Sequence, residues 1–197
     1  KYGIKHDKIK AILEKEILLL DNAYNIYFFD KTTITHTKTV QIVKDKEPWH
    51  KYAKAMACSN KKLTALSINK STKTIIVQLD EKILKRAILD WHKSESGVVT
   101  FSNDGSILAS GGEDGRCLLY DGSSFNLIGS LFPKPDYISN IVFSADSRLI
   151  AVSSFDKSCE IFDIERNISI IDFDASDVIE DMFFDDRHRF LFYVCKN

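Results

Sequence analysis

The side chains best able to do chemistry in this 197-residue chain gather between His92 and Asp121, in the run HKSESGVVTFSNDGSILASGGEDGRCLLYD. His92, Ser110 and Asp114 are the residue types of a nucleophilic triad, and Tyr120 follows them. A Ser-His-Asp nucleophile needs an exposed serine on a sharp turn beside an oxyanion hole, and the chain has no GxSxG elbow. Metal chemistry is no better served. His6, His36, His50, His92 and His188 do not pair at metal-ligand spacing alongside a third ligand. Cys58, Cys117, Cys159 and Cys195 form no CxxC pair, so buried free thiols in a reducing compartment are expected. The acidic runs Asp172-Asp174-Asp177, Glu180-Asp181 and Asp185-Asp186 lack the DxDxDG loop of a calcium site and read as a solvated rim. Gly111-Gly112 and Gly115 precede a strand rather than a helix, which fits a hairpin turn and not a phosphate cradle. The triplets NKS at Asn69 and NIS at Asn167 match the glycosylation sequon, a pattern frequent by chance.

The elements that must position these residues are short strands. Val98 to Phe101, Ile107 to Ala109 and Cys117 to Tyr120 are apolar stretches separated by SNDGS and SGGEDG. Gly, Asn and Asp there favour tight reversals, giving a three-strand antiparallel meander. The pattern repeats: Phe101-Ser102-Asn103-Asp104 recurs as Phe143-Ser144-Ala145-Asp146, 42 residues on, and loosely at Phe184. Tyr120-Asp121 recurs as Phe162-Asp163, with Phe29-Asp30 and Leu79-Asp80 as upstream counterparts. The first unit is expected to hold strands near Ile9 to Leu13, Ile17 to Leu20, Asn25 to Asp30 and Lys38 to Val43, although IKAILEKEILLL also suits a helix. The second should hold Lys54 to Cys58, Leu63 to Ile68, Thr74 to Leu79 and Lys82 to Ile88. Pro133 and Pro135 fall between units, where a strand interior would not tolerate them.

The His92, Ser110, Asp114 and Tyr120 series, closed by Tyr120-Asp121, resembles the WD-repeat family of β-propellers. Tyr120-Asp121 stands where that family usually has Trp-Asp, and Trp91-His92 where it usually has Gly-His. The resemblance implies that these four residues form a buried hydrogen-bonded brace within a blade rather than a catalytic site. In the next repeat Ser153, Asp156 and Phe162 match, but Lys134 takes the His position, so the network there is expected to be absent or partial. The implied fold is all-β, a β-propeller of four-stranded antiparallel blades at about 4–44, 52–89, 98–131 and 138–172, with a partial blade at 178–197. About four and a half blades make an open arc, part of a propeller whose seven blades would need about 290 residues. The resemblance also implies that partners dock on the loop face, where Glu113 and Phe155 precede the turn Asp and Trp91 lies on the same rim.

Composition sets the remaining bounds. With 44% hydrophobic residues the chain can bury a substantial core, and no apolar run approaches the roughly 20 residues of a membrane-spanning helix. Net charge is −1, yet residues 1–96 hold 19 Lys/Arg against 11 Asp/Glu while residues 97–197 hold 8 against 17. The asymmetry reads as drift in surface composition or, alternatively, as a basic face and an acidic face that would steer partners differently. Scattered lysines without an aromatic-interleaved basic motif give no reason to expect nucleic acid. The expected molecule is a non-catalytic scaffold that needs no cofactor or metal, binds protein or peptide and resides in the cytoplasm. Two alternatives are an open arc that self-assembles, as a homo-oligomer or with a further segment, and a small-ligand sensor using the central channel.

Overall fold

A computed structural model describes residues 10–12, 16–20, 25–30, 32–41, 53–58, 63–68, 71–79, 83–131, 133–185 and 190–196. Those residues form eighteen strands and no helix. The first sheet comprises β1 (Lys10–Ile12), β2 (Glu16–Leu20), β3 (Asn25–Asp30) and β4 (His36–Gln41). The second holds β5 (Ala53–Cys58), β6 (Leu63–Ile68), β7 (Thr74–Leu79) and β8 (Ile83–Leu89). The third holds β9 (Ser96–Phe101), β10 (Ile107–Gly112), β11 (Cys117–Asp121) and β12 (Leu127–Ser130). The fourth holds β13 (Ile138–Phe143), β14 (Leu149–Ser154), β15 (Ser158–Asp163) and β16 (Ile168–Asp174), and β17 (Ile179–Phe184) pairs with β18 (Leu191–Cys195). Each sheet is an antiparallel meander in chain order.

The helix that competed for the N-terminal segment does not form: β1 and β2 pair there, with Lys10 opposite Leu19. A second adjustment concerns the glycines. Gly111 and Gly112 close β10 rather than sitting in the turn, and only Gly115 occupies the turn, at φ +71°. His6, His50, His188, Asn69 and Asp186 lie outside the described residues.

Middle strands read as unbroken apolar runs because both of their faces are covered. Along β10, Leu108 packs toward the second sheet while its neighbour Ala109 packs toward the fourth. Along β11, Leu118 and Tyr120 take the first side, and Cys117 and Leu119 the other. Successive side chains on a strand point to opposite faces, so one sheet contributes to two cores. Among the described residues three such cores stack in series, the last joining Ala151, Cys159 and Ile161 of the fourth sheet to Ile179 and Met182 of β17. Cys117, Cys159 and Cys195 are free thiols. Burial pushes the Cys117 thiol up and raises that of Cys159 to about 11, so both act as small apolar groups.

Neighbouring sheets are also stitched at their turns. In the β9–β10 turn Ser102 Oγ donates to Asp104 Oδ1 at 2.7 Å and accepts from Ile107 N–H at 2.9 Å. The β13–β14 turn repeats this with Ser144, Asp146 and Leu149. Asn103 Nδ2 then donates across the gap to Ala145 O at 3.2 Å. The Phe-Ser-x-Asp repeat of the sequence is thus a self-capped turn.

Candidate functional site

His92 lies between β8 and β9, Ser110 on β10, Asp114 in the β10–β11 turn and Tyr120 on β11. The structure brings all four together. His92 Nδ1 is 3.0 Å from Asp114 Oδ1, His92 Nε2 is 2.7 Å from Ser110 Oγ, and Ser110 Oγ is 3.4 Å from Tyr120 Oη. Asp114 also accepts from Lys93 N–H at 2.7 Å and Arg116 N–H at 3.2 Å. Burial opposes the charge on Asp114, but these donors outweigh it and hold its carboxyl below the usual range. Burial pushes the His92 imidazole the same way, downward, despite the attraction of Asp114. The ring is therefore neutral, and since a carboxylate can only accept, its proton sits on Nδ1. Nε2 is left to accept from the Ser110 hydroxyl. Ser110 is fully buried, so an acyl substrate cannot reach this triad look-alike.

Gly112 belongs to the site, although SGGEDG reads as a hairpin turn. A Cβ there would lie 2.4 Å from His92 Nδ1 and 2.5 Å from Asp114 Oδ1. The backbone of β10 must pass bare beside the pair, and the second glycine of SGGEDG is the signal for it.

The same positions in the fourth sheet are solved with different chemistry. Lys134 Nζ lies 2.9 Å from Glu160 Oε2 and 3.6 Å from Asp172 Oδ1. Burial alone would lower its pKa, but the Glu160 and Asp172 carboxylates reverse that and raise it. Ser153 Oγ pairs instead with Ser139 Oγ at 2.8 Å, and Asp156 accepts from Ser158 N–H at 2.9 Å. Phe162 is buried where Tyr120 stands and has no hydroxyl to offer.

Glu113 and Phe155 come together on the loop face, and Trp91 does not join them. A groove of about 840 Å³ runs between the third and fourth sheets, lined by Glu113, Asp136, Tyr137, Asn140 and Phe155 among others. A hollow of about 480 Å³ adjoins it, sharing Ser139, Asn140 and Phe155 and adding Glu180 and Lys196. Tyr137 and Phe155 are 47% and 51% exposed, and their rings meet edge to face at 6.1 Å. Phe155 N–H donates to Tyr137 O at 2.9 Å, as Glu113 N–H donates to Glu95 O at 2.8 Å one repeat earlier. Each bond ties a hairpin turn to the loop before an inner strand. Trp91 is exposed, with its carbonyl accepting from Arg116 Nη1 at 3.3 Å. Tyr137 went unnoticed in the sequence; its one signal was an aromatic just before an inner strand.

The acidic runs are partly paired: Asp177 Oδ1 lies 3.1 Å from Lys157 Nζ. Among the described residues no three metal-ligating side chains converge, and no helix is long and apolar enough to cross a membrane.

Four-stranded antiparallel sheets stacked face to face, one of them braced by a His-Ser-Asp-Tyr chain, define the class of protein as a β-propeller. The family model for the WD domain, G-beta repeat, matches residues 85–121 and 125–163, which carry two repeats similar to that family's. WD repeat-containing protein 1 of Xenopus tropicalis is 36% identical over 85 residues, which are 42% of this chain and 14% of that protein. Actin-interacting protein 1 of Drosophila melanogaster is 31% identical over 86 residues, again 42% of this chain and 14% of that protein. The match thus spans about a seventh of either relative. A chain in a crystal structure of the mitotic checkpoint complex superposes with a TM-score of 0.75 at 14% identity, over 93% of this chain and 57% of that one. That likeness is one of fold. WD-repeat propellers generally act as protein-interaction scaffolds.

Proposed function

We propose that this chain is a non-catalytic scaffold that holds a protein or peptide segment on its loop face, in the groove between the third and fourth sheets. The supporting observation is the exposed Tyr137–Phe155 pair beside that groove. Large aromatic side chains over a concavity are the kind of anchor that dominates interfaces. The His92 chain serves this role indirectly, by fixing the turn that carries Glu113. Free thiols at Cys117, Cys159 and Cys195 suit a reducing compartment such as the cytoplasm.

Actin is the first partner to test, since a relative is named for interacting with it. Phe155→Ala should leave the melting temperature within about 2 °C of the parent, because the ring is half exposed. The same variant should weaken partner binding roughly tenfold or more, as read by isothermal titration with actin. A folded Phe155→Ala protein that retains every partner at parental affinity sinks the loop-face reading.

A second reading has its own support. Phe183 and Phe192, 56% and 48% exposed, stack at 5.2 Å on the face of β17–β18, with Phe190 beside them. An apolar face of this kind suits association with a second copy. Light scattering at about 45 kDa, twice the chain mass of 22.5 kDa, would support it, and a monodisperse monomer removes it.

A further inference from the structure

The groove between the third and fourth sheets combines aromatic faces with acceptors. Among the described residues lining it, the acidic or basic side chains are the carboxylates of Glu113 and Asp136. Lysine, arginine and histidine are missing from that lining. Asn140 donates one N–H of Nδ2 to Ile179 O at 2.8 Å, and its amide oxygen can accept from a donor. Asp136 Oδ1 accepts from Tyr137 N–H at 2.7 Å, and a carboxylate offers about four acceptor sites, so it has room for more. An edge-to-face pair leaves the faces of its edge-on ring uncovered by the partner ring, and such a face attracts cations. Residues 97–197 add a surrounding field of the same sign, with 17 Asp/Glu against 8 Lys/Arg.

We infer that the groove is a receptor for one cationic side chain of an extended peptide, arginine in preference to lysine. The guanidinium lies against the Tyr137–Phe155 pair with Glu113 and Asp136 accepting its N–H groups. Arginine is favoured because its planar, weakly hydrated head can stack and donate at once. The neighbouring hollow, lined by both Glu180 and Lys196, has no such bias and takes the next residues of the segment. This inference rests on the loop-face docking reading, and it adds the chemistry of what docks there.

A random peptide display library selected on the whole chain, with Phe155→Ala protein for counter-selection, tests both layers. The expected result is a set of peptides with Arg or Lys fixed at one position. A synthetic member should lose about tenfold in affinity when that Arg is replaced by the neutral isostere citrulline. It should lose about the same on a Glu113→Gln/Asp136→Asn protein whose melting temperature matches the parent. Enriched peptides that depend on Phe155 yet carry no cationic residue, or that bind the double variant as tightly, overturn the cation receptor while docking stands. A selection that yields no Phe155-dependent peptide overturns both.

Discussion

The third and fourth sheets carry the same topology and 42-residue spacing, and at one position they differ in kind. Where the third sheet places His92, the fourth places Lys134, and each spans from the preceding loop to its own sheet. His92 is neutral, 6% exposed, and has both ring nitrogens satisfied by Asp114 and Ser110. Lys134 is charged, and it is balanced by the buried Glu160 and by Asp172, whose side chain is 67% exposed. The repeat therefore requires a polar bridge that meets its own partners, and not an imidazole. One bridge is dry and geometrically exacting; the other keeps one partner in water and tolerates adjustment.

Glycine substitution at the shared turn should expose that difference most strongly. Gly115 has φ +71° and Lys157, its counterpart 42 residues on, has φ +75°. An added Cβ at Gly115 would meet Lys134 O at 2.1 Å, a backbone atom that cannot swing aside. Left-handed strain and overpacking together predict that Gly115→Ala costs about 3 kcal/mol in urea unfolding. Lys157→Ala should cost about 0.5 kcal/mol, the worth of a half-exposed ion pair with Asp177. Equal losses at the two positions would show that the Gly115 turn has no special need of glycine. Next in size is the carboxylate itself. Asp114→Ala leaves the buried His92 Nδ1–H and two backbone donors without their acceptor, at roughly 1–3 kcal/mol. Asp156→Ala, removing an acceptor for Ser158 N–H in a half-buried turn, should cost about 0.5–1 kcal/mol. An Asp114→Ala protein with an unchanged melting curve would remove the brace as an energetic unit.

The two bridges should also answer to pH in opposite windows. The folded pKa of His92 is below its ordinary 6.5, so as pH falls through that value the unfolded chain binds the proton first. Stability contributed by the neutral ring is intact above pH 6.5 and declines on acidification. Asp114, also lowered, adds a loss of the same sign, but only below its ordinary 3.8. Lys134 is raised, so its contribution is complete below 10.5 and is lost only as pH rises through the folded value. Urea midpoints between pH 7 and 5 should fall for the parent and fall less for His92→Gln. A His92→Gln profile parallel to the parent would assign the acid sensitivity elsewhere.

Much of this architecture was legible because its signals are local. The β6 and β7 strands fall at Leu63–Ile68 and Thr74–Leu79 as expected, since turn residues flank short apolar runs. The four brace residues were legible as a set, because their spacing follows from one hairpin. The ion cluster was not. Glu160 and Asp172 reach Lys134 from β15 and β16, and no periodicity links a loop lysine to acids on two later strands. Gly112 was misassigned to the turn because a glycine that clears space for a distant histidine looks like one that bends the chain. Tyr137 stayed hidden for a related reason: its partner, Phe155, is brought beside it by strand pairing.

The smallest effect concerns the turn after each third strand, where the sheets again differ. Asp30 Oδ1 accepts from Thr32 and Thr33 N–H, Asp121 Oδ1 from Ser123 and Ser124 N–H, and Asp163 Oδ1 from Arg166 N–H. Four residues after each Asp the backbone turns left-handed, at Ile34 (φ 56°), Phe125 (φ 61°) and Asn167 (φ 54°). Asparagine accepts that conformation readily. Phe125 is partly buried against the core shared by the second and third sheets, which offsets its strain. Ile34 is β-branched and 62% exposed, so it bears the strain with little packing in return. Ile34→Asn should therefore stabilise by about 0.5–1 kcal/mol, whereas Phe125→Asn should destabilise because the lost packing exceeds the relieved strain. Urea midpoints of the two variants decide the point: a loss at Ile34 would mean that its side chain, and not its backbone, sets the energy of that turn.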